Sequence, residues 1–234
     1  MVSNEENIEI LKNILYDKSR TCPLCRHNFT SKAIKVGKNR LISVDEDLYA
    51  HYDIVNPLLY DIIVCPECSY SATTKNFDSL MSRHRKLLQD TFKKHSIHNN
   101  FSEFVSISEA ISMHKLALLS SITKKSKIGE QAYIALHISW LYRDLGDKSN
   151  ERLFTDRAYC GFNEALSTEH FPIQGLDEAT LLYMLAAMAH NLGYNSESKK
   201  ILSSLIVMSG LSTRLKDHIL TLKQKILLLE DEII

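Results

Sequence analysis

Two Cys-x-x-Cys pairs, Cys22-Pro-Leu-Cys25 and Cys65-Pro-Glu-Cys68, constrain this chain more than any other feature. Two residues between cysteines let both sulfurs of a pair turn inward on one knuckle, where backbone N–H groups support thiolate charge. Two such knuckles form a closed tetrahedral S₄ site, the preference of structural Zn²⁺. Proline follows the first cysteine of each pair and stiffens both turns alike. The 39 residues from Arg26 to Val64 exceed the roughly 15 to 20 of common zinc-ribbon spacings, so a metal here closes a larger loop. The expected ligands are therefore Cys22, Cys25, Cys65 and Cys68, holding one structural zinc ion. Iron in a rubredoxin-like site uses the same four thiolates.

Other chemistries of the same residues fit less well. A thioredoxin-like dithiol needs an activated pair at a helix N-terminus in a βαβ context, which neither pair has. Four cysteine ligands leave no open position for water, which argues against a catalytic zinc. His27 and His51 read as surface or packing residues. The fifth cysteine, Cys160, has no acid–base partner nearby in sequence and is expected as a small core residue. Paired thiols used as metal ligands suit a reducing cytosol. The polar stretch Val2 to Glu9 lacks the basic flank and apolar run of a secretory signal, and apolar runs fall short of the roughly 20 residues that span a bilayer. A cytoplasmic protein without membrane association is the expectation.

Hydrophobic residues make up 44% of 234 residues, enough for a substantial core, and 28 Lys and Arg balance 28 Asp and Glu. No global charge draws the chain to nucleic acid. The character of the sequence changes near residue 75. Three of the four prolines, both cysteine pairs and the β-leaning segments Leu41 to Val44 and Tyr60 to Val64 precede it, with strand potential extending over Lys35 to Val44. Helical patterns follow. The expected fold class is mainly α: a small zinc-ribbon or rubredoxin-like unit with short β-strands over residues 1–75, led by a helix from Asn4 with Ile8, Leu11, Ile14 and Leu15 on one face, then a tetratricopeptide-like region over 76–234.

Periodicity predicts seven helices in that region. The first runs from Asp78 to His95, with Leu80, Met81, His84, Leu87, Leu88 and Phe92 near one stripe. Ser106 and Glu109 form a capping-box pattern for a helix to about Lys125, with Ile107, Ile111, His114, Leu118 and Ile122 along a face. Ile128 to Leu145 stops at Gly146, and Ser149 to Ser167 follows. Asp177 caps a helix ending at Leu192 and Gly193. Ser196 to Met208 and Ser212 to about Asp231 complete the set. Leu145-Gly146 and Leu192-Gly193 each close the first helix of a pair, the helix-turn-helix grammar of tetratricopeptide repeats. Their spacing of 47 residues exceeds the roughly 34 of that repeat, so irregular pairs are expected.

Lys75 to Lys127 holds ten Lys or Arg against four Asp or Glu, with His84, His95, His98 and His114 in addition. Solvated basic helix faces account for this more simply than nucleic-acid binding, and no aromatic interleaving makes a stacking platform. Trp140, Tyr142 and His137 read as helix packing, and His190 as a helix-end residue. No phosphate loop, nucleophile elbow or metalloprotease motif occurs.

The segments Thr21-Cys-Pro-Leu-Cys-Arg-His-Asn-Phe29, Asn56-Pro-Leu-Leu-Tyr60 and Val64-Cys-Pro-Glu-Cys-Ser-Tyr-Ser-Ala72 together resemble the bacterial family catalogued as domain of unknown function 2225. The resemblance covers most of the chain. It implies two knuckles ahead of tetratricopeptide-like helices, and no particular reaction. This sequence departs at Ser69, where the family usually has Gly. Within that picture Asn56 to Tyr60 is a turn feeding the second knuckle, since Pro57 biases Asn56 toward extended backbone, and Tyr60 and Tyr70 are expected to shield the thiolates.

The resulting expectation is a non-enzymatic, zinc-stabilised protein-interaction module whose helices receive a protein or peptide. The alternative is a nucleic-acid-binding zinc ribbon using the basic segment, and an enzyme ranks third.

Overall fold

A computed structural model describes residues 4–95 and 101–231. His98 of the basic segment lies outside them. The element order is α1 (Asn4–Ile14), β1 (Leu15–Thr21), β2 (Asn28–Ile34), β3 (Leu41–Val44), β4 (Ala50–Tyr52), β5 (Ile62–Val64), β6 (Ser71–Thr73), α2 (Arg85–His95), α3 (Ile107–Thr123), α4 (Ile128–Leu145), α5 (Lys148–Thr168), α6 (Glu178–Leu192), α7 (Asn195–Ile206) and α8 (Thr213–Asp231). No helix among the described residues is long and apolar enough to cross a membrane.

The strands form three two-stranded sheets, β1 with β2, β3 with β4 and β5 with β6. β1 and β2 run antiparallel in the register Leu15↔Ile34 to Thr21↔Asn28. β5 and β6 pair from Ile62↔Thr73 to Val64↔Ser71. Each cysteine knuckle is thus the turn of a hairpin. β1 is mostly exposed and β2 mostly half-buried, and the hairpin shows none of the apolar alternation by which an amphipathic strand is recognised.

Packing divides the chain into two compact units. The first contains the chain up to Ser43, Ala50–Ser126 and Trp140–Asp147. Its main core gathers Cys22, Leu24, Cys65, Tyr70, Phe77 and the α2 residues Leu88 and Phe92. A second cluster joins Ile14 and Leu15 to Val55 and Tyr60. The Asn56–Tyr60 turn is a 3₁₀ turn, Pro57–Tyr60, whose cap Asn56 accepts the Leu58 N–H. Tyr60 accordingly packs away from the sulfurs, contrary to expectation, while Tyr70 lies against them.

α2 begins later than its periodicity suggests. Phe77 donates its N–H to the Thr73 carbonyl and is fully buried. That turn and a 3₁₀ segment over Ser82–His84 use up the residues from Asp78, leaving Met81 and Leu87 outward. α3 begins at the expected capping box: Ser106 accepts from Glu109 N–H and Glu109 accepts from Ser106 N–H. Ile111 and His114 of the expected stripe are buried, together with Ala110, Met113, Ala117, Ser120 and Ser121, whereas Ile122 is exposed. Small residues permit close approach to β5 and β6. Ser120 Oγ there accepts the Ser71 N–H at 3.3 Å.

The second unit contains Val44–Tyr49, Lys127–Ser139 and the chain from Lys148 onward. Gly193 ends α6 in left-handed conformation at φ 89°, and Asp177 caps that helix on Thr180 N–H. A β-carbon at Gly161 of α5 would meet the Ala132 side chain of α4 at 2.9 Å. The small-residue approach expected of paired helices is therefore present. α6 is almost wholly buried and packs on α5, α7 and α8.

Candidate metal centre

Each knuckle is assembled by the same two backbone hydrogen bonds. Arg26 N–H donates to the Cys22 carbonyl and Ser69 N–H to the Cys65 carbonyl, both at 2.9 Å. Cys22 N–H then closes onto the His27 carbonyl and Cys65 N–H onto the Tyr70 carbonyl, again at 2.9 Å. The residue after the second cysteine is left-handed in both, Arg26 at φ 68° and Ser69 at φ 59°. Glycine, which the resemblance implies at position 69, would relieve the strain that a β-carbon brings to that conformation. Arg26 carries the same strain, and nothing in the sequence signals it.

The two knuckles meet so that the four Sγ atoms lie within 4.8 Å of one another. Cys22 Sγ is 3.6 Å from Cys68 Sγ, and Cys25 Sγ is 3.6 Å from Cys65 Sγ. A tetrahedral S₄ site with Zn–S of about 2.3 Å has edges of about 3.8 Å. The separations fit a metal and far exceed the roughly 2.05 Å of a disulfide. Cys22 and Cys65 are fully buried, while Cys25 and Cys68 are half-buried.

Mutual hydrogen bonding splits the proton affinities of these thiols. Hydrogen bonds from Cys65 and then Cys68 hold Cys22 well below the ordinary thiol range. Cys68, hydrogen-bonded to Cys22, is pushed up. Sulfurs this close cannot all be thiolates on their own, whereas a soft divalent cation stabilises all four. The donor set therefore suits such an ion, with the core around Tyr70 and Phe77 covering the buried pair.

The remaining candidates sort clearly. His27 and His51 do not join the four-sulfur group; His27 is exposed and stacks with Phe29 at 6.4 Å between ring centroids. Trp140, Tyr142 and His137 are buried. His190 bonds through Nδ1 to Asn195 Oδ1 at 2.9 Å across the α6–α7 turn. Cys160 is exposed on α5 and is not the core residue expected. The apolar side of α5 runs instead through Phe154, Ala158, Phe162 and Ala165. Within the basic segment, Lys124 is buried and Lys115 donates from Nζ to Tyr142 Oη at 2.7 Å.

A family model described as "Uncharacterized protein conserved in bacteria (DUF2225)" matches residues 15–226. A protein of Borreliella burgdorferi, described as an uncharacterized protein, is 26% identical over 145 residues, 53% of this chain and 51% of the relative. The chain thus spans about half the length of that relative. No solved structure matches.

Proposed function

Because the chain belongs to the bacterial DUF2225 family, whose description names no activity, we propose that it is a zinc-stabilised protein-interaction module of the reducing cytoplasm, without catalytic activity of its own. The observation that carries the reading is the closed four-sulfur cluster, fully burying two of its donors in the core of a small unit. Cys22, Cys25, Cys65 and Cys68 would hold the ion, and the ion would supply a cross-link between the two hairpin turns beside the core they share through Leu24, Phe29, Ile63, Tyr70 and Ala72. Four thiolates saturate tetrahedral zinc and leave no coordination position for substrate.

An open cavity of about 600 Å³ lies near the first unit's hairpins. Two of its acid–base groups are shifted, and both move away from neutral pH. Glu103 and then Asp17 raise Lys32, and burial raises Tyr60. Groups poised near 7, which general acid–base catalysis favours, are not what such shifts produce. The burial of Lys124 likewise removes one cation from the basic surface that nucleic-acid binding would need.

Metal analysis of the full chain, purified after growth with both zinc and iron, should return about one zinc per chain. Stoichiometric iron, or full metal retention after Cys25→Ser with Cys68→Ser, overturns the metal assignment. Photo-crosslinking from exposed positions on α5, α7 and α8 should give protein adducts that need the folded chain. Adducts confined to nucleic acid, with a steep salt dependence, would overturn the interaction reading.

A further inference from the structure

The second unit contains a short piece of chain far from its helices in sequence, Val44–Tyr49, the connection between β3 and β4. Three acidic residues followed by leucine form its tip, Asp45-Glu46-Asp47-Leu48. Leu48 N–H donates to the Asp45 carbonyl at 3.0 Å, and Asp45 N–H donates to the Tyr49 carbonyl at 2.8 Å, giving a tight hairpin turn. Leu48 occupies the left-handed position at φ 66°, which in such turns favours glycine. A leucine tolerates that strain only where its surroundings overdetermine it.

Those surroundings are a three-point receptor built by α6, α7 and α8. Leu48 packs against the core formed by Tyr183 and Ala187 of α6, Leu202 of α7, and Ile219 and Leu222 of α8. Tyr183, fully buried, donates its hydroxyl to the Glu46 main-chain carbonyl at 2.8 Å. Lys225 Nζ donates to both Glu46 carboxylate oxygens, at 2.8 and 2.9 Å. The helices thus read an apolar side chain, a main-chain carbonyl and a carboxylate two residues before the leucine. These are the elements by which a helical-repeat surface recognises a peptide. The Lys225–Glu46 pair keeps side-chain exposures of 49% and 33%, so a competitor can engage the charged contact before the tip has left.

We infer that this receptor is a recognition site for a tight turn of the form Glu-x-Leu on a partner protein, and that the chain's own Val44–Tyr49 tip occupies it in cis as an autoinhibitory ligand. The inference rests on the protein-interaction reading above and specifies its site and ligand chemistry. A partner takes the site by presenting the same three features without a strained leucine. The resident tip, tethered at an effective concentration of about millimolar, masks the site from weak ligands.

The test uses the metal-loaded full chain and a fluorescent, cyclised peptide with the sequence of Ser43 to Ala50. Glu46→Lys with Leu48→Gly disables the tip. The disabled chain should bind the peptide at least about tenfold more tightly than the unaltered chain, and adding Lys225→Glu should abolish the gain. Equal affinity for both chains, or no binding by a disabled chain with unchanged helical signal and melting temperature, overturns the inference. Should the disabled chain unfold, hydrogen exchange on the unaltered chain decides. Saturating peptide should speed exchange at the Asp45 and Leu48 amides while α6 stays protected, and unchanged rates overturn the inference. Either failure leaves crosslinks elsewhere on the helices, and hence the broader interaction reading, untouched.

Discussion

Stripping the proposed metal from the four-sulfur site should release a long-range constraint in the first unit. Cys22 and Cys68 are 46 residues apart in sequence, and Cys25 and Cys65 are 40 apart. Treating the shared ion as one cross-link over the longer span, the chain-entropy relation gives about 4 kcal/mol of stabilisation. Leaving Cys22 and Cys65 buried without the ion does not restore this, since their sulfurs are then held together only by weak thiol hydrogen bonds. The hairpin β5–β6 and the face of α3 that packs on it should feel the loss first, because the second knuckle is the turn of that hairpin. Native-state hydrogen exchange of the full chain, with and without a strong zinc chelator, reads the effect directly. Amides of Ile63, Ala72 and the middle of α3 should lose about three decades of protection, the equivalent of 4 kcal/mol. Cys68→Ser should behave similarly. Complete metal removal with those amides still protected would refute the idea that the site holds the hairpins together.

Arg26→Gly should stabilise the metal-loaded chain by about 0.5–1 kcal/mol in chemical denaturation, since glycine relieves the left-handed strain at an exposed position and forfeits part of that gain as unfolded-state entropy. Gly161→Ala should destabilise by about 1 kcal/mol despite alanine's better helix propensity, because its β-carbon meets Ala132 at 2.9 Å; a rise in melting temperature would contradict the close packing. Glu109 supplies a pH-dependent contribution. Burial pushes its carboxyl up, but hydrogen bonds from Ser102 and Ser106 outweigh it and bring it to about 2, against an ordinary 4.5. A depressed carboxyl stabilises the fold above its unfolded value and loses that contribution as pH falls from 4.5 toward 2. The stability gap between the unaltered chain and Glu109→Gln should therefore shrink by about 1 kcal/mol over that window, after discounting for solvent screening, and a constant gap would contradict the capping-box assignment.

Local chemistry was legible in the sequence. The Cys-Pro-x-Cys turns, the Ser106–Glu109 box, the Asp177 cap and the helix stops at Gly146 and Gly193 all depend on residues within one turn of each other, where side-chain type dictates backbone conformation directly. The four-cysteine cluster was legible as well, because the repeated Cys-Pro-x-Cys knuckle declares its donor chemistry whatever the path of the chain between. What only the tertiary structure decided concerns residues distant in sequence. Polar β1 and β2 are strands because the knuckle between them closes a hairpin, and α3 adds Ala110, Ala117, Ser120 and Ser121 to the buried Ile111 and His114 while leaving Ile122 outside, because its neighbours β5 and β6 come from distant sequence. Cys160 faces outward because the opposite side of α5 carries the larger apolar residues. The left-handed Leu48 has no local justification at all. Its conformation is held by contacts to helices more than a hundred residues away, and packing energy from such contacts does not appear in any window of sequence.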